Sequence, residues 1–407
     1  MTPAARAQTA IQILDEVLAG AAAEQALTAW ARRSRYAGSG DRAAVRDLVF
    51  DALRCLRSCA AAGGRPAGGL GPETTGRALI LGQLRLCGTD PDTIFTGERH
   101  APEVLTAAER ESGASSLDEL PAAERRDLPD WVWPEVTRSA RGAAEETAQA
   151  LRHRAQVHLR VNRARADLQS AIGLLAADGI TAVAHPAAPM ALLVTGGARR
   201  IRNSAAYRDG VVELQDAASQ AICATLPLKD GMRVLDYCAG GGGKTLAMAA
   251  EAKLDLFAHD AQPQRMRDLA DRADRAGVVV TRLATGDLAR QGPFDLVLCD
   301  VPCSGSGAWR RAPEGKWRLT PDRLAEIRRI QAAILASAAA LVRPGGTLAY
   351  ATCSIFRCEN TEQISEFVER NSPWKAETER HWALSSGLSG TDTPETDGFY
   401  LSMIERS

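Results

Sequence analysis

Apolar residues in the first 140 positions recur at helical spacing, broken by loops rich in glycine and proline. In "TAIQILDEVLAG" Ile11, Leu14, Val17 and Leu18 share one face, and Gly20 is a stop signal. "SGDRAAVRDLVFDALRCLRSCAA" repeats the pattern with Val45, Leu48, Val49, Ala52, Leu53 and Leu56, and Asp41 offers a cap. A flexible loop is expected over 61–72, with helical patterns again at 74–87 and near 117–126. This part reads as an α-helical bundle without a catalytic cluster.

Between residues 141 and 212 the pattern changes. "HLRVNRARADLQSAIGLLAADGITAVAHP" reads as strand, basic turn, helix and strand. Residues 141–211 hold ten Arg against five Asp or Glu, and Arg160, Arg163 and Arg165 cluster at the turn. Such a cluster is either a solvated charged face or a phosphate-binding patch. From about residue 216 strands and helices alternate. Strands are expected at 232–237, 254–259, 278–284, 294–299 and 346–352, with a final pair near 374 and at 398–404. Helices are expected near 244–252, 262–276, 321–342 and 358–370. Alternation of this kind predicts a mostly parallel sheet covered on both faces, with its ligand site outside the carboxyl ends of the strands.

A length of 407 residues is too great for one ordinary domain. The boundaries read as 1–140, 141–212 and 213–407. The formal charge of −1 excludes a chain that is basic throughout, yet leaves room for a local nucleic-acid patch. No run of about 18 apolar residues exists, and Asp15 and Glu16 interrupt the start where a signal peptide needs an apolar core. No membrane partner is therefore expected. Nine cysteines, an odd number without framework spacing, fit a reducing cytoplasm. Cys55/Cys59 and Cys299/Cys303 are four apart but lack the second pair a zinc site needs, so no metal is expected.

Chemistry concentrates at strand ends. "FDLVLCDVPCSGSG" delivers Asp300 and Cys303 into a Gly/Ser loop, and "GGTLAYATCS" delivers Cys353 in the same way. Two cysteines in this setting suggest one thiol doing chemistry and another assisting, whereas Cys55, Cys59, Cys87, Cys223 and Cys299 read as packing residues. "RVLDYCAGGGGKTLAMAAE" is a strand, a glycine loop and a helix, and it lacks the first glycine of a phosphate-binding P-loop. Asp260 ends the next strand, 24 residues after Asp236, where a carboxylate suits ribose hydroxyls. Asp287 follows a further strand, placed for an adenine amino group. Past the cysteine, "SGAWRRAPEGKWRLTP" interleaves Trp309 and Trp317 with Arg310, Arg311, Lys316 and Arg318. Aromatics among cations suit base stacking and phosphate contact, or else the tryptophans are core.

The segments "DYCAGGGGKT", "AHD", "GD", "FDLVLCDVPCSGSGAWRRAPEGKW", "LVRPGGTLAYATCSIFRCEN" and "DGFYLSMI", in this order, resemble the Sun/RsmB family of RNA cytosine-5 methyltransferases. The resemblance runs from about 213 to the end. The N-terminal part resembles a NusB-like helical RNA-binding domain more weakly, chiefly through "DRAAVRDLVFDALR". The implied architecture is multidomain: a helical NusB-like bundle, a small α/β RNA-binding module and a Rossmann-like class I methyltransferase domain.

The resemblance also implies S-adenosylmethionine, held by Cys238, Ala239, Gly240, Gly241, Gly242, Gly243 and Lys244 with Asp260, Asp287 and Asp300. It implies RNA as partner, ribosomal RNA first; the basic patterning offers Arg160, Arg163, Arg165, Arg310, Arg311 and Lys316 for contact with it, and a monomer is expected. Cys353 becomes the nucleophile on cytosine carbon 6, Cys303 the release group, and Asp300 a hydrogen-bond partner of the base. A thiolate adding to carbon 6 converts an unreactive ring into an enamine whose carbon 5 attacks the methyl group. The alternatives are a transfer RNA cytosine-5 methyltransferase and a noncatalytic RNA-binding assembly factor. One departure stands out: Gly240 and Gly241 occupy positions where the family has Ala and Pro, which predicts a floppier loop that loses more entropy on binding.

Overall fold

Helix α1 (Pro3–Leu18) begins where the Thr2 hydroxyl accepts the Ala5 N–H at 3.1 Å, with Pro3 in the first turn. It belongs to a first compact unit, residues 1–154 together with 309–319, in the computed structural model of the chain. The structure describes residues 1–65, 68, 70–71, 73–384 and 395–406, so residues 66, 67, 69 and 72 of the loop expected at 61–72 lie outside the described residues. Helices α2 (Ala23–Arg33), α3 (Ser39–Arg54), α4 (Leu56–Ala62) and α5 (Gly76–Leu86) follow. Ile11, Leu14, Leu27, Val45, Val49, Leu53, Leu79 and Ile80 form their common core.

The single helix expected through "DALRCLRSCAA" is broken at Cys55, whose φ of −116° and ψ of 39° separate α3 from α4. Asp41 lies inside the first turn of α3 and accepts the Gly38 N–H at 3.3 Å, so Gly38 rather than Asp41 is the N-cap. A Cβ at Gly82 would stand 1.8 Å from the Cys59 carbonyl oxygen, so only glycine lets α5 approach α4 this closely. The first unit reaches Arg154, beyond residue 140, through helices Val132–Ser139 and Ala144–Leu151.

The segment 309–319 closes this unit by capping its helices. Glu314 accepts the Ala23 N–H at the start of α2 at 3.0 Å. Lys316 Nζ donates to the Arg54 carbonyl at 2.7 Å and Trp317 Nε1 to the Leu53 carbonyl at 2.7 Å, both at the end of α3. Arg318 donates to the Ala21 carbonyl at 2.6 Å, just past α1. An acid at a helix start and cations at helix ends satisfy orphan backbone groups and complement the macrodipole.

The second unit comprises residues 155–308 and 320–407 and contains two sheets. Strands β1 (Val157–Val161), β2 (Thr181–Ala184), β3 (Ala191–Gly196) and β4 (Val212–Leu214) form an antiparallel sheet in the order β2-β3-β1-β4. Strands β5 (Arg233–Asp236), β6 (Asp255–His259), β7 (Thr281–Leu283), β8 (Phe294–Asp300), β9 (Val342–Thr352), β10 (Trp374–Trp382) and β11 (Phe399–Arg406) form the larger sheet. Its order is β10-β11-β9-β8-β5-β6-β7. Strands β5 to β9 pair in parallel, whereas β11 runs antiparallel to β9 and to β10. The strand order reverses between β5 and β8, which opens a crevice at their carboxyl ends.

Candidate active site

The crevice receives the loops that follow β5, β6, β7, β8 and β9. After β5, Gly240 (φ +50°) and Gly242 (φ +78°) take left-handed backbone that favours glycine, and the helix Gly243–Glu251 starts directly behind them. The loop is tied down at both positions that depart from the family pattern. The Gly240 N–H donates to Asp260 at 3.0 Å, and Arg272 donates to the Gly241 carbonyl. Asp260, at the end of β6, is buried and also accepts the Gln262 N–H at 2.9 Å and pairs with Arg265 at 3.2 Å. Asp287 follows β7, half-buried, and pairs with Arg290.

Asp236 ends β5 with 1% exposure. Its Oδ2 accepts the Thr245 hydroxyl at 2.7 Å, and its Oδ1 has no hydrogen-bond partner among the described residues. Burial pushes this carboxyl up to about 7, against the Thr245 hydrogen bond and with the help of the Asp300 charge. Lys244 Nζ lies 2.8 Å from Asp300 Oδ2. Burial opposes the charge on Lys244, but the Asp300 carboxylate outweighs it and holds the ammonium protonated well above its ordinary range. Asp300 itself keeps a third of its side chain exposed.

The loops after β8 and β9 bring Cys303 and Cys353 together, with 3.4 Å between their sulfurs. The Cys353 sulfur and then burial push the Cys303 thiol well above its usual range, so Cys303 holds its proton at neutral pH. The Gly307 N–H donates to the Cys353 carbonyl at 2.9 Å, tying the two loops at the backbone.

Three of the expected RNA contacts are interior. Arg160 points inward from β1, 7% exposed, and donates to Gln215 at 2.7 Å and to the Leu246 carbonyl at 3.3 Å. Arg310 and Lys316 are 0% exposed within the first unit, where the Arg310 carbonyl accepts from Arg54 at 3.0 Å. Phosphates have no access to these guanidinium and ammonium groups, so the expectation is corrected for all three. Trp309 is buried as well, and Trp317 packs on the helical core. Arg163, Arg165 and Arg311 are exposed, with Arg163 paired to Glu251 at 3.2 Å.

Sequence reasoning gave no role to two buried groups of the crevice, Asp236 and His259. His259 Nδ1 contacts the Tyr237 carbonyl at 2.7 Å and Nε2 the Thr285 hydroxyl at 3.0 Å, joining the ends of β5 and β7. The available signal was position: Asp236 is the last strand residue before the glycines, and His259 directly precedes Asp260.

Residues 223–405 match the family model of the 16S rRNA methyltransferase RsmB/F, and residues 128–199 match the ferredoxin-like domain of RsmF/B-like methyltransferases. The ribosomal RNA small subunit methyltransferase B of Salmonella arizonae is 32% identical over 290 residues, covering 69% of this chain and 64% of the relative. The chain thus spans just under two thirds of that relative's length. The probable ribosomal RNA small subunit methyltransferase B of Synechocystis is 29% identical over 319 residues, 73% of this chain and 71% of the relative. Among solved structures, PH0851 superposes with a TM-score of 0.77 at 23% identity, over 100% of this chain and 99% of that one, which shows a shared fold. By the family models that residues 128–199 and 223–405 match, the chain carries the ferredoxin-like and methyltransferase domains of the RsmB/F family.

Proposed function

We propose that this protein methylates carbon 5 of a cytosine in small-subunit ribosomal RNA, through a covalent bond between Cys353 and the base. The observation that carries the reading is the pair of thiols 3.4 Å apart at the mouth of the crevice, beside the Lys244–Asp300 pair. S-adenosylmethionine fits the residues present. The buried, unpartnered Asp236 Oδ1 is an acceptor matched to a ligand that carries N–H donors. Asp260, Asp287, Asp300 and the loop from Cys238 to Lys244 would hold it. Bound there, it supplies an activated methyl group.

The chain's own residues do the rest. The sulfur of Cys353 bonds to carbon 6, which makes carbon 5 nucleophilic. After methylation carbon 5 carries both its methyl and its proton. Loss of that proton to water, with return of the carbon 6–sulfur electrons to Cys353, restores the aromatic ring. Cys303 is the neighbouring group placed to assist this release. Asp300, paired with Lys244, accepts a hydrogen bond from the base or the cofactor. The target must be single-stranded or flipped out of its stack to reach the thiols.

Denaturing electrophoresis with labelled RNA tests the assignment. Cys353→Ala should abolish turnover without trapping RNA, whereas Cys303→Ala should accumulate a protein–RNA adduct. An adduct with Cys353→Ala would reverse the two roles, and full turnover in both variants would end the covalent reading.

A further inference from the structure

Behind the two thiols the chain buries a carboxylate that the chemistry above leaves unused. Glu359 has 0% exposure and sits in the short turn Arg357–Glu359 after β9. Its Oε1 accepts the Ser304 N–H at 2.8 Å and Gln331 Nε2 at 3.0 Å. Its Oε2 accepts the hydroxyls of both Ser304 and Ser354. Ser304 directly follows Cys303, and Ser354 directly follows Cys353. Gln331 also donates to the Pro302 carbonyl at 3.0 Å, so both neighbours of Cys303 hang from this cluster.

Burying an ionised carboxylate costs several kcal/mol unless its lone pairs are met by donors. An ionised carboxylate has about four acceptor sites, and here four donors converge on it. Two of the four come from the loop of one cysteine and one from the loop of the other, while the fourth comes from the helix Pro321–Ala339. A carboxylate that served only to stabilise β9 would not need to reach across 55 residues of sequence to Ser304. The Ser306 hydroxyl reinforces the same junction, 3.0 Å from that of Ser354 and accepting the Ile355 N–H at 2.9 Å.

We infer that Glu359 is a positioning residue that sets the distance between Cys303 and Cys353 by holding Ser304 and Ser354 on one carboxylate. The inference rests on the proposed two-thiol chemistry for its functional consequence, and on the hydrogen bonds alone for its geometry. Its negative charge also adds to the effects that keep Cys303 protonated, after the Cys353 sulfur and burial. Glu359 touches neither the base nor the cofactor in this account. It acts through the two loops.

The test compares wild type with Glu359→Ala, Glu359→Gln and Ser304→Ala in the full chain. The glutamine amide keeps an acceptor for the Ser304 N–H and Gln331 and turns its NH2 to the two hydroxyls, which can accept. Dibromobimane, which bridges two adjacent thiols, reads the spacing without RNA or cofactor, with the Cys303–Cys353 bridge identified by peptide mass. Glu359→Ala should lose most of the bridging yield and lower kcat by about 10²-fold, the cost of displacing reacting groups by about an ångström, with KM for RNA unchanged. Glu359→Gln should recover both. Wild-type bridging and kcat in Glu359→Ala would overturn the inference. If that variant does not fold, Ser304→Ala decides: reduced bridging supports the role and wild-type bridging removes it. If wild type methylates no RNA, the proposed function fails, and the bridging yield still decides the geometry.

Discussion

Two lysines from glycine-containing stretches, Lys244 of "GGGGKT" and Lys316 of "PEGKW", are both buried and end in opposite electrostatic situations. Lys244 faces the Asp300 carboxylate at 2.8 Å and lies 5.2 Å from the centre of the Phe399 ring. Lys316 faces a neutral carbonyl at the end of α3. Burial pulls its ammonium down to about 8, the charges of Arg152 and Arg54 add to the fall, and Asp127 only partly offsets it. One lysine orders a charged crevice, and the other caps a helix inside the first unit. Burial of a cation therefore does not by itself mark a site.

The comparison breaks most readily at Lys244. Lys244→Met should lower the single-turnover methylation rate by about 10²–10³-fold, the usual effect of removing one electrostatic stabiliser from a site. A wild-type rate would make this lysine structural, like Lys316. The Lys316→Met variant should keep kcat, and its stability should part from wild type with pH. A base whose pKa falls from 10.5 to about 8 on folding is bound to a proton more often in the unfolded chain between those values. Wild type should therefore gain up to about 3 kcal/mol as pH rises through that window, a gain absent from Lys316→Met and measurable by urea unfolding at several pH values. Below pH 8 the burial cost is present in full.

Asp260→Ala should weaken S-adenosylmethionine binding by about 1–3 kcal/mol, the cost of leaving a buried hydrogen-bonding group unsatisfied, as read by calorimetry. Unchanged affinity would place the cofactor elsewhere. The smallest effect separates exposed from interior arginines. Arg163→Gln with Arg165→Gln should reduce the salt slope of RNA binding by about 0.7–0.9 per lost contact. Arg160→Gln should leave that slope alone and lower the melting temperature instead, because its guanidinium bonds to Gln215 and Leu246. A wild-type slope in the double variant would make Arg163 and Arg165 a solvated face.

Much of the crevice was legible because its signals are local. The glycines after β5, the acids at strand ends and the two cysteines each declare themselves within a few residues of a strand. The altered glycine loop was expected to be floppy. Nothing in its own residues discloses that Asp260 and Arg272 tie Gly240 and Gly241. The expectation for Arg310 and Lys316 in the cationic segment after Cys303 fails for the same reason. Its aromatic and basic composition suits RNA and a set of helix ends equally well, and composition does not say which is nearby.

The chain's own pattern determined the helical first part, the alternating strands and helices and the placement of chemistry at strand ends, since these follow from periodicities of a few residues. Tertiary structure alone decided which charges meet. Lys316 finds the Arg54 carbonyl 262 positions away, Lys244 finds Asp300 across 56 and Cys303 finds Cys353 across 50. Coulomb and hydrogen-bond energies depend on distance in space, and chain folding sets that distance without leaving a record in the neighbouring residues.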